Sequence, residues 1–152
     1  MEPNTTLTVH DLLAETFILL DETDRRALTP LNLTIRQYYV LYHLGNNSGL
    51  NIRDLSARLL CDKSTTTRLV EKMRQIGLLC RNPDPNDRRY VVINLTKEGR
   101  ALREQAIQIH HANIDQRLQH LSTQELELLK TTLQKLRNNL LSQLGYVEST
   151  EK

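Results

Sequence analysis

Apolar residues recur at helical spacing along most of the chain. Val9, Leu13, Phe17 and Leu20 step by four, four and three, with Leu12 widening the stripe, so a first helix is predicted over roughly residues 7–28. Pro30 ends it. Thr34-Ile-Arg-Gln37 then has the form of a capping box, with Leu33 before it and Tyr38 after it placed as a hydrophobic staple. A second helix is predicted from about residue 35 to 44, stopping near Gly45-Asn-Asn-Ser-Gly49. Asn51 caps a short third helix whose inner face is Ile52, Leu55 and Leu59. After a break at Leu60-Cys61-Asp62, Asp62 caps a fourth helix that runs to about Ile76 and is closed by Gly77. Two short helices joined by a tight turn are the outline of a helix-turn-helix.

Beyond Gly77 the period changes. Leu78-Leu-Cys80 and Tyr90-Val-Val-Ile-Asn-Leu95 are short apolar runs around Arg81-Asn-Pro-Asp-Pro-Asn-Asp-Arg-Arg89, which is all turn formers and charge. A β-hairpin with a long basic tip follows. Thr96 caps a fifth helix to about His120, and Ser122-Thr-Gln-Glu125 is a second capping box before a sixth. Leu126, Leu129, Leu133, Leu136 and Leu140 form a heptad seam along that last helix, continued by Leu144. Such a seam exposes too much apolar surface in a monomer, and a two-fold dimer would bury it. Met1–Thr6 and Val147–Lys152 are expected to be disordered.

Composition agrees with a mainly helical chain. Leu contributes 29 of the 152 residues, whereas Val and Ile together contribute 14. No apolar run is long enough to span a bilayer, and the amino end has no basic segment followed by an apolar core. A cytoplasmic protein without a membrane partner is expected. Two cysteines make no disulfide framework, and no Cys-x-x-Cys or His-Glu-x-x-His appears, so neither metal nor cofactor is expected. Gly-x-Ser-x-Gly and the phosphate-binding loop are also missing, which argues against an enzyme. The net charge of +2 hides an asymmetry. Residues 51–100 carry 11 Lys/Arg against 6 Asp/Glu, the mark of a polyanion-binding surface.

The fourth helix supplies the order that charge alone lacks. At 100° per residue, Thr66, Leu69, Val70, Met73 and Ile76 share one side, and Ser64, Arg68 and Gln75 centre on the other. Thr67 and Lys72 flank the outer face. Short hydroxyls and a guanidinium near the amino end are what a helix needs to read base edges in the major groove, with Lys63 and Lys72 reaching phosphates. On the hairpin tip, Arg89 suits the negative minor groove. Asp87, two residues earlier, is placed to hold its guanidinium in one orientation.

These residues resemble the MarR family of winged helix-turn-helix regulators. The resemblance rests on Leu33-Thr-Ile-Arg-Gln37, Ile52-Arg-Asp-Leu-Ser-Ala-Arg-Leu59, Asp62-Lys-Ser-Thr-Thr-Thr-Arg-Leu-Val70, Gly77-Leu-Leu-Cys-Arg81, Asp84-Pro-Asn-Asp-Arg-Arg89 and Leu95-Thr-Lys-Glu-Gly99, in family order and spacing. It departs at Thr66, where the family usually has an aliphatic residue. It implies a mainly α fold with a small β-hairpin wing. The whole of residues 1–152 forms one MarR-like domain, with a winged helix-turn-helix lobe at 34–96 and a helical dimerisation region at 7–30 and 97–145. The implied protein is a homodimeric repressor on a palindromic operator in double-stranded DNA. The resemblance matches Ser64, Thr65 and Arg68 to recognition-helix contacts and Asp87 and Arg89 to the wing's Asp-x-Arg pair, and the residue pattern adds Lys63, Thr67, Lys72 and Arg88 as expected DNA contacts.

The resemblance further implies release by a small aromatic effector, for which Phe17, Tyr39, His43 and His110 are candidate lining residues. A family branch that senses zinc carries a His where this chain has Tyr39. Cys61, at the start of the fourth helix beside Lys63, is a candidate redox switch, although the family's peroxide sensors carry their reactive Cys near the start of helix one. The remaining alternative is a winged-helix module that binds another protein. It predicts an uncharged face on the fourth helix and a hairpin tip without the Asp87/Arg89 pair.

Overall fold

Side-chain caps stand at five helix starts and set the order of the elements. The structure, a computed structural model, describes residues 5–45 and 48–146. Helix α1 spans Thr5–Leu28 and is followed by a 3₁₀ turn at Thr29–Leu31. The helices α2 (Ile35–His43), α3 (Ile52–Leu59) and α4 (Lys63–Gln75) come next. Strands β1 (Leu79–Pro83) and β2 (Val91–Leu95) form an antiparallel hairpin, and α5 (Lys97–Leu118) and α6 (Thr123–Gln143) complete the chain. The expected disordered ends lie outside the described residues, except for Thr5 and Thr6, which open α1. Asn46 and Asn47, within the expected stop of α2, also lie outside them. The described residues form two compact units, one ending at Asn113 and one beginning at Ile114.

In the first unit, Thr34 and Gln37 cap α2 reciprocally, and Asn51 and Asp62 accept from backbone N–H groups of α3 and α4. The staple residues Leu33 and Tyr38 are both buried in the core. That core joins Leu28 of α1, Val40 and Leu41 of α2, Leu55 of α3, Val70 and Met73 of α4, Ile93 and Leu95 of the hairpin, and Ala106 of α5. Thr66 is fully buried at the position where an aliphatic residue is usual. Its hydroxyl donates to the Asp62 carbonyl at 3.0 Å, so burial leaves no polar group unmatched.

The end of α4 departs from the expected helix face. Ile76, expected on the apolar side, is the C-cap residue and is 63% exposed. Gly77 turns left-handed (φ +79°), and its N–H donates to the Arg74 carbonyl while that of Leu78 donates to the Met73 carbonyl. This Schellman closure turns the chain so that Leu78, not Ile76, joins Met73 in the core.

The hairpin is longer than its apolar residues predict. Register runs from Leu79 opposite Leu95 to Pro83 opposite Val91, so Arg81, Asn82 and Pro83 belong to β1 and the tip is confined to Asp84–Tyr90. Leu50 adds a short bridge to Ile93, exchanging N–H···O bonds of 3.1 and 2.8 Å. Gly49 makes this possible. Its φ is +72°, and an added Cβ would press on the Ile93 carbonyl and the Asn94 side chain.

One cluster of bonds ties α4, the hairpin and α5 together. Thr96 Oγ1 donates to the Gly77 carbonyl at 2.6 Å and accepts from Gly99 N–H at 3.0 Å. The Thr96 N–H donates to the Leu78 carbonyl at 3.0 Å. Gly99 lies against that same carbonyl, with no room for a Cβ.

In the second unit, Ser122 and Glu125 form the predicted capping box of α6. Leu126 and Leu136 are half-buried, while Leu129, Leu133 and Leu140 are 41%, 42% and 46% exposed. A seam of apolar side chains therefore stands open along α6. Among the described residues, no helix is long and apolar enough to cross a membrane.

Gly99→Ala is expected to lower the unfolding free energy by about 1–3 kcal/mol, because the new methyl must displace backbone rather than a flexible side chain. Urea unfolding followed by circular dichroism measures it. An unchanged midpoint would remove the close packing at Gly99 from the account.

Candidate nucleic-acid interface

The face of α4 that turns away from the core begins at its cap. Asp62 Oδ1 accepts from Thr65 N–H at 2.8 Å and from the Ser64 hydroxyl at 2.7 Å, and Oδ2 accepts from the Thr65 hydroxyl at 2.7 Å. These bonds, led by that of the Thr65 hydroxyl, hold the Asp62 carboxyl well below the usual carboxylate range. The Thr67 hydroxyl donates to the Lys63 carbonyl at 2.7 Å. Ser64, Thr67, Arg68, Lys63 and Lys72 are exposed, and Thr65 is half-buried.

Pairing separates two sets of cations. Arg74 is held by Glu71 at 2.8 Å, and Arg81 approaches the same carboxylate at 3.7 Å. Lys63, Arg68, Lys72 and Arg88 make no ion pair among the described residues. The unpaired charges on α4 lie on the face that carries the hydroxyls, where they can neutralise phosphates at no cost of breaking an internal bridge.

On the hairpin, Asp84 N–H donates to the Tyr90 carbonyl and Tyr90 N–H to the Asp87 carbonyl, closing the tip. Asp87 then grips Arg89 as its spacing predicts. Arg89 Nε donates to Oδ1 at 3.0 Å, the second guanidinium nitrogen to Oδ2 at 2.7 Å, and the backbone N–H to Oδ1 at 3.1 Å. The Arg89 bonds pull the Asp87 carboxyl below its usual range and push the guanidinium up. With the Arg89 side chain 84% exposed, this pair adds little stability. What it fixes is direction, since a bidentate fork holds the guanidinium plane on the tip.

The MarR family model matches residues 33–91, from the cap of α2 to the first residue of β2. The organic hydroperoxide resistance transcriptional regulator of Bacillus subtilis is 33% identical over 113 residues, which cover 74% of this chain and 76% of that protein. The chain belongs to the MarR family. It is a DNA-binding transcription regulator of the winged-helix type, and its family is one of regulators, not enzymes. Among solved structures, CouR from Rhodococcus jostii RHA1 bound to p-coumaroyl-CoA is 27% identical, with a TM-score of 0.75 over 95% of each chain. Mutant MarR from Escherichia coli complexed with operator DNA is 26% identical, with a TM-score of 0.77 over 88% of this chain and 96% of that one.

The MarR fold places the other candidate residues as follows. Tyr39, His43 and His110 come together around α2, with ring centroids 6.3 Å apart for Tyr39–His43 and 6.5 Å for Tyr39–His110. Burial, helped by the Arg58 charge, lowers the His43 pKa. Phe17 is 70% exposed on α1 and makes no ring contact among the described residues. Cys61 is half-buried in the turn before α4, its thiol 3.4 Å from the Leu59 carbonyl. Asp24, which sequence reasoning passed over, and the staple residue Tyr38 stand at the ring cluster. The Tyr38 ring lies 4.4 Å from that of His110, and His110 Nε2 lies 3.3 Å from Asp24 Oδ1. All three side chains are buried, and burial pushes the Tyr38 phenol up to about 12. Asp24 was detectable, because it continues the Val9–Leu13–Phe17–Leu20 stripe, and a carboxylate on an apolar stripe calls for a buried partner. Below it, Arg103 Nε donates to the Leu41 carbonyl at 3.1 Å and its guanidinium covers Gly45.

Arg89→Ala is expected to weaken DNA binding by about tenfold at fixed salt with no change in thermal unfolding, because its partner Asp87 is on the exposed tip. Fluorescence anisotropy against a bound duplex measures the first and circular dichroism the second. Equal affinity of variant and wild type would take the wing out of DNA recognition.

Proposed function

We propose that this MarR-family chain acts as a homodimeric repressor that binds a palindromic operator in double-stranded DNA and is released by a small aromatic effector. The observation that carries the DNA reading is the exposed face of α4, hydroxyls plus unpaired cations, together with an arginine locked in position on the hairpin. In this reading α4 enters the major groove of each half-site. Ser64, Thr65, Thr67 and Arg68 face base edges, and Lys63 and Lys72 face phosphates. Arg89, oriented by Asp87, enters the adjacent minor groove with Arg88 beside it. Occupying a promoter in this way excludes polymerase, which favours repression, and the cytoplasm is where such DNA is met. A protein-binding winged helix would need neither the charged α4 face nor the Asp87–Arg89 fork.

The open seam on α6 supports the dimer. Leu126, Leu129, Leu133, Leu136 and Leu140 would meet their two-fold copies. A two-fold axis then presents two α4 helices about one DNA turn, roughly 34–36 Å, apart. For the effector, the Tyr39, His43 and His110 rings offer stacking partners, as does the exposed Phe17 of α1. The neighbouring structure of CouR was determined with p-coumaroyl-CoA bound. In this chain the ring cluster touches α1 through Asp24 and α2 through Tyr38, so a ligand there would act on both helices at once.

Leu133→Glu places a charge in the proposed seam. Sedimentation is expected to show monomers in place of dimers, and DNA affinity is expected to fall about a hundredfold or more as two-site engagement is lost. A variant that stays dimeric with full affinity would move the interface away from α6.

A further inference from the structure

The hydroxyls on the reading face of α4 are not free to choose their role. An ionised carboxylate can only accept hydrogen bonds, so in the bonds of 2.7 Å from Ser64 and Thr65 to Asp62 the protons must come from the hydroxyls. Each hydroxyl has one proton. Once it is given to Asp62, only oxygen lone pairs remain to face outward. Arg68 on the same face has the opposite character, since a guanidinium has donors and no acceptor. The end of α4 therefore carries acceptors at Ser64 and Thr65 and donors at Arg68.

We propose that Asp62 is a specificity-determining positioning residue: by taking the protons of Ser64 and Thr65 it makes both acceptor-only, so that α4 selects amino bases over keto bases where those hydroxyls reach. In the major groove the amino groups are N6 of adenine and N4 of cytosine, whereas guanine and thymine present O6 and O4 acceptors. A keto base opposite either hydroxyl would leave two acceptors face to face. Turning the hydroxyl to donate would break a charge-assisted bond, which is roughly twice as strong as a neutral one. Asp62 need not touch DNA itself, because its oxygens are already engaged by Ser64 and Thr65. The proposal rests on the reading that α4 lies in the major groove.

Asp62→Asn separates this role from capping. Asn is as good an N-cap as Asp, so α4 keeps its start: the amide oxygen takes the place of Oδ1, on Thr65 N–H and the Ser64 hydroxyl, and the NH₂ takes the place of Oδ2, which accepted from the Thr65 hydroxyl. The Thr65 hydroxyl proton is then free to meet a keto base, while Ser64 stays an acceptor. Wild type, Asp62→Asn, Ser64→Ala and Thr65→Ala would each be used to select duplexes from a randomised library, with thermal unfolding measured alongside. Positions whose preference collapses in the alanine variants are the ones the hydroxyls read. The wild type is expected to select adenine or cytosine there. In Asp62→Asn the ratio of amino to keto bases at the positions that Thr65→Ala identifies is expected to fall about fivefold or more. Removing a negative charge can raise affinity for every duplex, but it does not change this ratio. Guanine or thymine at those positions in the wild type, or an unchanged ratio in Asp62→Asn, would overturn the role of Asp62 while leaving α4 as the reading helix. If the alanine variants alter no position, the placement of α4 fails, and the role of Asp62 with it.

Discussion

Thr96 is the residue on which the geometry of the DNA-binding lobe depends. Its hydroxyl donates to the Gly77 carbonyl just past the end of α4 and accepts from the first turn of α5, and its backbone N–H closes onto Leu78 at the root of the hairpin. Three elements that already share one hydrophobic core are pinned together here within one side chain and a glycine. The proposed reading of two grooves at once would need this, because a wing that swung independently of α4 would lose most of its contribution to the cost of ordering it. The same junction links the lobe to α5. Further along that helix, Arg103 and His110 contact α2, and His110 also contacts α1. A change at the ring cluster therefore has a physical route to the lobe through a helix that is anchored at its first turn.

The electrostatics follow a consistent division. Arg74 and Arg81 are held by Glu71, while Lys63, Arg68 and Lys72 beside the hydroxyls make no ion pair among the described residues. Arg89 is the exception that shows the principle. Its partner Asp87 is retained not for energy, which is small at an exposed pair, but for orientation. Asp62 applies the same device to hydroxyls. In both cases a carboxylate spends its hydrogen-bonding capacity on fixing a neighbour, so the specificity of the surface is prepared before DNA arrives.

Much of this was legible in the chain. Thr34, Asn51, Asp62, Thr96 and Ser122 were readable as helix starts because capping is a local interaction between residues three apart. The Asp87–Arg89 fork was readable for the same reason. What depends on non-local pairing was not. Arg81, Asn82 and Pro83 look like turn residues and are strand residues because Ile93, Val92 and Val91 lie opposite them. The bridge between Leu50 and Ile93 joins segments 43 positions apart and leaves no periodic trace. Ile76 has helical phase with the core of α4, but the Schellman turn at Gly77 ends the helix before that phase counts. At the ring cluster, His110 and Tyr39 were visible as candidates, and the place of Asp24 on the apolar stripe signalled a buried partner, but that the partner is His110 follows only from α1 and α5 lying side by side.

The central claim is that α4 and the wing together bind one DNA sequence in preference to others. Fluorescence anisotropy against the duplex upstream of the protein's own gene, beside a scrambled duplex and across a salt series, tests it most directly. A preference of about 10³ or more for the native duplex is expected, with affinity falling steeply as salt rises. Weak and equal binding to both duplexes, extending to every sequence in a randomised library, would contradict it.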